Sequence, residues 1–264
     1  MKNLLIVGAS SGIGEKIAKR FLQKGSRVVN ISRRNSNLSG IKNYSLDVTD
    51  RTALDKALDE IIETEEIDSF IYSAGFSMAS PLKYVEEGDY RYLFEVNYFA
   101  FLHCLYRLLP TLDKNNGRVA IIGSVASEAV IPFDCYYSSS KAALNALVLA
   151  LRQEFTRVKI VAALPGGTKT RFTYKRKVYP VDSVYEYADK MTKACVNLAK
   201  IEQNGMTADS VAKSVVKNFQ RKNPRPIIAT GFINKFTVIA VRFMPLKLTE
   251  WIIKMIMERK NVVG

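Results

Sequence analysis

The chain has 264 residues, of which 48% are hydrophobic and 24% charged, and its formal net charge is +14. These fractions are typical of a globular protein and exclude a disordered chain, a collagen or a disulfide scaffold. One α/β domain of this length can bury a core without cross-links. The positive charge suggests nucleic acid, anionic lipid or acidic substrates as partners, or it reflects only a lysine-rich surface. No zinc finger, helix-turn-helix or aromatic-basic platform accompanies it, so we expect no nucleic acid.

The three cysteines, Cys104, Cys135 and Cys195, are widely spaced and form no CxxC pair. We therefore expect no metal and no disulfide, and a reducing compartment. The one histidine, His103, is expected to pack within a helix rather than to catalyse. The longest uncharged run, residues 69–82, is shorter than the roughly 18 residues of a spanning helix, and the N-terminus lacks a signal-peptide core. These features predict a cytoplasmic protein, or one that contacts a membrane only at its surface.

Short apolar runs alternate with helical segments along the chain. The runs are typical of strands buried on both faces of a parallel sheet, and they cover Asn3–Val7, Arg27–Ile31, Asn43–Leu46, Asp68–Tyr72, Gly117–Ile122, Val158–Ala163 and Pro226–Ala229. Helices are predicted over Gly12–Lys24, after the N-cap Asp50, and over Glu86–Leu112, Tyr136–Thr156, Val184–Ile201 and Ala208–Gln220. The alternation predicts a Rossmann-like, doubly wound parallel sheet with helices on both faces. We assign residues 1–230 to this single domain and residues 231–264 to a C-terminal amphipathic helical extension.

A glycine-rich turn joins the first strand to the first helix. Its glycines let the backbone come close to a phosphate, and the helix N-terminus beyond them offers N–H groups to a pyrophosphate. Glycines also serve ordinary tight turns, but the position between a strand and a helix favours a dinucleotide. The expected cofactor contacts in the turn are Gly8, Ser10, Ser11, Gly12, Ile13 and Gly14.

The end of the second strand indicates which dinucleotide binds. An NAD fingerprint carries an acidic residue about 20 residues after the turn, for the ribose 2′-hydroxyl. Here the strand ends with Arg33 and Arg34 and without a carboxylate. Two guanidinium groups can donate charge-assisted hydrogen bonds to a 2′-phosphate. We therefore expect NADP rather than NAD; the other interpretation is an exposed basic loop.

Tyr137 and Lys141 lie four residues apart in the fourth predicted helix and share one face. Because an ammonium group stabilises a phenolate, we expect it to lower the pKa of Tyr137 and to make the phenol a usable acid or base. Ser124 follows the fifth strand, where its hydroxyl can hold a substrate carbonyl beside the phenol. The spacing alone arises by chance in many helices, and Tyr136 is one residue off this face.

Together these motifs resemble those of the short-chain dehydrogenase/reductases over residues 3–230. The order and spacing of Gly8–Gly14, Asp47, Asn97, Ser124, Tyr137, Lys141 and Pro165-Gly166 carry the resemblance. It implies a catalytic tetrad. Tyr137 would exchange the proton, Ser124 would orient the carbonyl or alcohol, Lys141 would also bind the nicotinamide ribose, and Asn97 would anchor a water-linked proton relay.

The resemblance also implies further cofactor contacts. Asp47 would contact the adenine, and the contacts after the fourth and sixth strands would be Ala74, Gly75, Pro165, Gly166, Thr168 and Thr170. Two positions depart from the family pattern. Val7 stands where the family has threonine, and Tyr72-Ser73 precedes Ala74-Gly75 where the family has two asparagines. Both departures concern local hydrogen bonding more than catalysis.

Two segments bear on the substrate. Residues 169–177 hold five basic and no acidic residues, which predicts either a solvated lid or a recognition surface for phosphate-bearing carriers. Beyond them, Gly231–Met244 and Leu246–Lys260 predict two amphipathic helices in a basic part of the chain. Those helices could lie in a membrane interface, cover the substrate pocket or pack against a second subunit. Each interpretation favours an apolar substrate.

These features predict an NADPH-dependent carbonyl reductase or secondary alcohol dehydrogenase acting on a lipid, fatty acyl or steroid-like ketone. One alternative is a 3-oxoacyl-carrier reductase with a basic docking surface. The other is a non-catalytic nucleotide-binding protein, and the filled tetrad argues against this second alternative. The resemblance implies a homodimer or homotetramer paired through the helices over Glu86–Leu112 and Tyr136–Thr156. The C-terminal helices add a membrane as a candidate partner.

Overall fold

The computed structural model describes residues 3–179 and 186–259. Its strands are β1 (Asn3–Val7), β2 (Arg27–Ser32), β3 (Ile41–Ser45), β4 (Ser69–Tyr72), β5 (Met78–Ala79), β6 (Arg118–Ile122), β7 (Lys159–Leu164), β8 (Thr168–Lys169), β9 (Lys177–Val178), β10 (Met206–Thr207) and β11 (Ile227–Ala229). Seven of them form a parallel sheet in the order β3-β2-β1-β4-β6-β7-β11. The order reverses beside β1, and the crevice at such a reversal is where ligands bind in sheets of this kind.

Helices cover both faces of the sheet. They are α1 (Gly12–Leu22), α2 (Arg51–Thr64), α3 (Glu87–Phe94), α4 (Ala100–Lys114), α5 (Cys135–Glu154), α6 (Ala188–Gln203), α7 (Ala208–Phe219), α8 (Phe232–Phe243) and α9 (Leu246–Glu258). Leu5 and Val7 of β1 belong to the core under α2, α4 and α5, whereas Leu4 and Ile6 belong to the core under α1 and α7. Successive side chains of a strand point to opposite faces, so unbroken apolar runs supply both cores. The predicted doubly wound fold is confirmed.

One predicted helix is divided in two. The segment Glu86–Leu112 contains α3 and α4, and a π-helical turn at Glu95–Phe99 joins them. The carbonyl of Val96 in this turn accepts a hydrogen bond from the hydroxyl of Tyr72 at 2.6 Å. Such a turn widens a helix locally and often occurs at functional sites. Here it carries Asn97.

The other element boundaries differ from the predictions by a few residues. The third strand covers Ile41–Ser45 rather than Asn43–Leu46. Asp50 caps α2 as predicted, since its carboxylate accepts a hydrogen bond from the backbone nitrogen of Ala53 at 3.0 Å. The helix predicted over Val184–Ile201 begins at Ala188, and the first residues of that prediction lie outside the described ranges. Among the residues described, no helix is long and apolar enough to cross a membrane.

Candidate active site

The glycine-rich turn bends at the point where β1 meets α1. Gly8 has a φ of +96°, and a Cβ there would lie 2.7 Å from the backbone nitrogen of Ala74. A Cβ on Gly14 would collide with the carbonyl oxygen of Gly8. The helix begins at Gly12, and within the described chain the side chain of Ser11 does not cap it. The N–H groups of the first turn can therefore bind an anion, and the bend fits a pyrophosphate.

The two arginines follow β2 on the nucleotide side of this turn. Both side chains are exposed, and Nη1 of Arg33 lies 3.9 Å from Oδ2 of Asp47. Hydroxyl groups hold their backbone: Ser32 donates to the carbonyl of Arg34 at 2.8 Å, and Ser45 donates to the carbonyl of Arg33 at 3.1 Å. The arrangement presents two guanidinium groups from a fixed loop, which suits a phosphate.

Asp47 is fixed by several hydrogen bonds. Its Oδ1 accepts from the backbone nitrogen and the hydroxyl of Thr49 at 3.0 and 2.9 Å, and its Oδ2 accepts from the hydroxyl of Tyr92 at 3.1 Å. Burial by itself would raise the pKa of Asp47, but these bonds and the charge of Arg33 outweigh it and lower that pKa. Asp47 therefore stands ionised beside Arg33 at the nucleotide end.

The four predicted tetrad residues meet at the carboxyl edge of the central strands. Tyr137 lies in the first turn of α5, and the hydroxyl of Ser124 is near enough to its phenol to lower the pKa of that phenol. The buried Lys141 lies one turn later, with its Nζ 5.7 Å from the centroid of the Tyr137 ring. A Cβ on Gly75 would lie 3.0 Å from Oδ1 of Asn97 and 3.4 Å from Nζ of Lys141. Gly75 thus lets Asn97 and Lys141 approach the same point.

Asn97 is fully buried and held on three sides. Its Oδ1 accepts from the backbone nitrogen of Phe76 at 3.1 Å, and its Nδ2 donates to the Phe76 carbonyl at 3.0 Å. The same Nδ2 donates to the hydroxyl of Ser140 at 3.1 Å, and that hydroxyl donates to the carbonyl of Tyr137 at 2.8 Å. Ser140 therefore links Asn97 to the helix of Tyr137. The sequence pattern missed this residue, although it lies one turn after Tyr137.

Burial governs ionisation at this end of the site. Burial raises the pKa of Tyr137, and the hydroxyl of Ser124 offsets only part of the effect. Burial lowers the pKa of Lys141 to about 8. The expected lowering of the Tyr137 pKa is therefore wrong for the chain by itself. The physical reason is that the phenolate would lose its hydration, while Nζ of Lys141 donates to the carbonyl of Ile122 at 3.0 Å.

Apolar and aromatic side chains surround Tyr137. The ring of Phe172 lies 5.7 Å from its ring, centroid to centroid. The buried members of the same cluster are Met78, Leu93, Ala126, Tyr179 and Met191. A carbonyl bound beside the phenol of Tyr137 would therefore be attached to a molecule in apolar surroundings.

Three buried charged side chains lie next to this cluster. Nη2 of Arg176 is 2.6 Å from Oε1 of Glu202, and its Nε donates to the hydroxyl of Ser77 at 2.9 Å. Burial raises the pKa of Asp134 to about 8, although the charge of Arg176 opposes this. The prediction that residues 169–177 form a solvated or carrier-binding segment is therefore wrong for Arg176, because its partner Glu202, far along the chain, holds it in the interior.

The loop after β7 forms the remaining wall. The Pro165 carbonyl accepts from the backbone nitrogen of Val125 at 2.9 Å, and Thr168 donates to the Gly166 carbonyl at 2.9 Å. The methyl group of Thr170 would be 3.7 Å from a Cβ on Gly12. The structure thus brings these loop residues to the same edge of the sheet as the glycine-rich turn.

His103 and Cys104 lie outside this site, whereas Cys195 packs against the apolar cluster around Tyr137. His103 lies in α4, where its Nε2 contacts Oδ1 of Asp55 at 2.6 Å, and Asp55 also pairs with Arg107. Cys104, Cys135 and Cys195 are free thiols. In the described ranges, no group of three or more histidine, cysteine or acidic residues could hold a metal ion.

Most of the chain is similar in sequence or in structure to known proteins. The family model described as short chain dehydrogenase matches residues 2–178. The chain is 29% identical over 227 residues to the 3-ketodihydrosphingosine reductase of Bacteroides thetaiotaomicron, covering 84% of each protein. It is 30% identical over 247 residues to the NADPH-dependent 3-dehydrocapnine reductase of Ornithobacterium rhinotracheale, covering 85% of this chain and 86% of that one. A short chain dehydrogenase from Burkholderia cenocepacia, solved in complex with NADP, matches with a TM-score of 0.75 at 19% identity, covering 95% and 98%.

The chain therefore belongs to the short-chain dehydrogenase family. It is an oxidoreductase, as the predicted resemblance implies, and the fold it shares with the Burkholderia structure is the predicted Rossmann-like sheet.

Proposed function

We propose that the protein is an NADPH-dependent carbonyl reductase that acts on an apolar, lipid-like ketone. The observation that carries the proposal is the meeting of Tyr137, Ser124, Lys141 and Asn97 inside an apolar cluster. The relatives named above support the reaction, since their names describe reductases of a keto and a dehydro compound.

Each of the four tetrad residues has its own role in the reaction. Tyr137 donates a proton to the carbonyl oxygen, which the hydroxyl of Ser124 holds by a second hydrogen bond. Lys141 binds the nicotinamide ribose and holds positive charge near the phenol. Asn97, fixed by Phe76 and Ser140, anchors the water that returns a proton to the site. NADPH, when bound, supplies the hydride that the carbonyl carbon receives.

The ionisation of Tyr137 favours reduction. Because burial raises its pKa, the phenol stays protonated at neutral pH. A protonated phenol is the form that donates to the oxygen of a ketone as the oxygen gains charge. Oxidation of an alcohol would instead begin with the costly phenolate.

The cofactor assignment rests on the nucleotide end. The guanidinium groups of Arg33 and Arg34 bind the 2′-phosphate, and the first turn of α1 binds the pyrophosphate. Asp47 contacts the adenine, and the residues after β4 and β7 flank the nicotinamide. The NADPH-dependent relative and the NADP complex of the Burkholderia protein support NADP over NAD.

A second candidate function is reduction of a 3-oxoacyl group on a phosphate-bearing carrier. The observation that favours it is the exposure of Lys169, Arg171 and Lys175 in the segment that follows Thr168. Such side chains could bind the phosphate of a coenzyme A or acyl carrier arm. The first candidate is preferred because Arg176, at the end of this segment, is buried rather than available to a carrier.

The proposal includes a homodimer or homotetramer in a reducing compartment such as the cytoplasm. Family members commonly pair through the helices that correspond to α4 and α5. These helices expose Tyr106 on α4 and Leu149 on α5, and Phe99 is exposed just before α4. Free thiols support the compartment.

The test has two parts. Calorimetric titration with NADPH and with NADH should show much tighter binding of NADPH; a preference for NADH would contradict the cofactor assignment. NADPH oxidation should then be followed with ketones of increasing chain length and with 3-oxoacyl thioesters. A rise in kcat/KM with chain length supports the lipid-like ketone, and turnover of the thioesters alone supports the carrier reductase.

A further inference from the structure

The helix α8 turns its apolar side away from the protein. A surface helix normally packs its apolar stripe on the core and leaves polar side chains in water. In α8 the side chain of Asn234 donates to the carbonyl of Thr230 at 2.6 Å, and Nη2 of Arg242 is 2.6 Å from Oε1 of Glu128. The docked side thus holds the polar Asn234 and the half-exposed Arg242 around the buried Val238. The outward stripe is Phe232, Ile233, Phe236, Ile239 and Phe243, whose exposed fractions run from 57% to 85%.

The next helix also exposes apolar side chains. In α9 the buried side chains Thr249 and Met257 lie toward the protein, and Nδ2 of Asn197 on α6 donates to the Met257 carbonyl at 2.9 Å. The outward residues of α9 are Leu246, Leu248, Trp251 and Met255. These residues and the outward stripe of α8 are called the tail surface below. Clusters of exposed apolar side chains mark interaction sites on protein surfaces.

The charges around the tail surface are mostly positive. Residues 210–258 contain nine basic residues and two acidic residues, Glu250 and Glu258. The exposed lysines Lys235, Lys247 and Lys254 belong to the same two helices. An apolar helix face bordered by lysines is the pattern of helices that lie in the interface of an anionic bilayer. Trp251 fits the same place, since tryptophan is enriched at membrane interfaces.

Two other occupants of the tail surface fit less well. Its side chains do not cover the cluster around Tyr137, because they are exposed in the structure. A second copy of the chain would meet the same surface in an isologous contact, which would bring the positively charged residues of the two tail surfaces close together. Each copy also carries a net charge of +14. A surface of anionic lipid satisfies both the apolar stripe and the positive border.

We infer that the tail surface docks the protein on anionic lipid bilayers. The inference deepens the proposed function and rests on it for its purpose, since a lipid-like ketone would be dissolved in the same bilayer. The position of α8 supports this purpose. Glu128, the partner of Arg242, follows the short helix Val125–Ser127 that begins after Ser124, so the docking helix and the catalytic serine are joined by one short segment.

The chain carries its own probe for the experiment. Trp251 is the only tryptophan, and it is 60% exposed. We expect its fluorescence to shift to the blue with vesicles of phosphatidylcholine and phosphatidylserine, and lipids with brominated acyl chains to quench it. Vesicles of phosphatidylcholine alone should bind less. Unchanged emission with both kinds of vesicle would overturn the inference.

Paired variants separate the apolar and the electrostatic contributions. Phe236→Ser with Phe243→Ser should weaken vesicle binding about tenfold or more, whereas the exposed Leu82→Ser in the turn Leu82–Tyr84 should leave it unchanged. Lys235→Gln with Lys247→Gln should weaken binding to the anionic vesicles about tenfold. The same change of charge at Lys213 and Lys217 on α7 is the control.

Further measurements separate this inference from its rivals. If sedimentation without lipid shows a dimer that the phenylalanine variant dissociates, and vesicles do not bind, the tail surface contacts a second copy and the inference fails. Tyr137→Phe should bind vesicles as the unchanged protein does. Vesicle binding without any ketone reduction would contradict only the proposed function. Reduction of a short, water-soluble ketone without vesicle binding would contradict only the inference that the tail surface docks on lipid.

Discussion

The two ends of the candidate site hold their charged groups in opposite surroundings. At the catalytic end, Tyr137 and Lys141 are buried among apolar side chains. At the nucleotide end, Arg33 and Arg34 project into solvent, and the side chain of Arg33 is 68% exposed. Both ends lie along the same carboxyl edge of the sheet, so the difference comes from the covering elements rather than from the strands.

This difference separates two kinds of electrostatics. Desolvation dominates at the buried end, where it moves the pKa values of Tyr137 and Lys141 in opposite directions. Water and salt screen the exposed end, where each guanidinium contributes a modest part of a ligand's affinity. Changes at the buried end should therefore alter chemistry and stability, and changes at the exposed end should alter cofactor affinity.

The largest effect should follow the loss of the buried phenol. Tyr137→Phe should lower kcat by about 10³-fold, because the hydroxyl of Ser124 binds the carbonyl oxygen but does not transfer a proton to it. The affinity for NADPH should stay within about twofold, since the phenol does not contact its phosphates. Steady-state kinetics and calorimetry of the same sample measure both quantities.

The adjacent tyrosine is the control for this variant. Tyr136 stacks on Tyr90 with ring centroids 5.1 Å apart and lies off the face of Lys141. Tyr136→Phe should keep most of the activity. Near-normal turnover by Tyr137→Phe would remove the catalytic assignment.

The next effect concerns the buried ammonium and pH. The pKa of Lys141 is about 8 in the folded chain, against 10.5 for an unperturbed lysine. Between these values the unfolded chain binds more protons, so raising the pH should increase the free energy of unfolding of the wild type relative to Lys141→Met. The gain should reach at most roughly 3 kcal/mol. Denaturant unfolding at pH 8, 9 and 10 measures it, with the exposed Lys190→Met as control; an equal trend in both would contradict the assignment.

A smaller effect should appear at the exposed end. Arg34→Ala or Arg33→Ala should weaken NADPH binding about tenfold and leave NADH binding unchanged, because only NADPH carries the 2′-phosphate. Raising the salt concentration should shrink the difference. Arg27→Ala, at the other end of β2, is the matched control. Equal losses for NADPH and NADH would show that the arginines do not read the phosphate.

The smallest effect tests a support of the buried end. Tyr72→Phe removes the hydrogen bond to the carbonyl of Val96 in the π-helical turn. The free energy of unfolding should fall by about 1 kcal/mol, measured by denaturant titration. An unchanged value would mean that the turn keeps its shape without this bond.

The sequence predicts the fold and the tetrad because both depend on local patterns. The glycine-rich turn, the apolar strands and the Tyr137–Lys141 spacing each occupy a short stretch of chain. The contacts that it could not predict join residues far apart. Arg176 is buried because its guanidinium group forms an ion pair with Glu202. Tyr72, which departs from the family pattern, holds the π-helical turn that carries Asn97.

The C-terminal helices show a further limit. Their periodicity predicts amphipathic helices and is confirmed. Periodicity does not say which side faces the protein, and in α8 the side with Asn234 and Val238 packs inward. That orientation depends on Gly166, Met206 and Glu128, which lie far away in the sequence.

The contact between Asn234 and Gly166 has a mechanical consequence. The side chain of Asn234 fills the space that a side chain at position 166 would need, so α8 packs directly on the backbone of that loop. The hydrogen bond to Thr230 keeps Asn234 in this place. A displacement of α8 would therefore press on the loop beside the cofactor cleft without crossing either hydrophobic core.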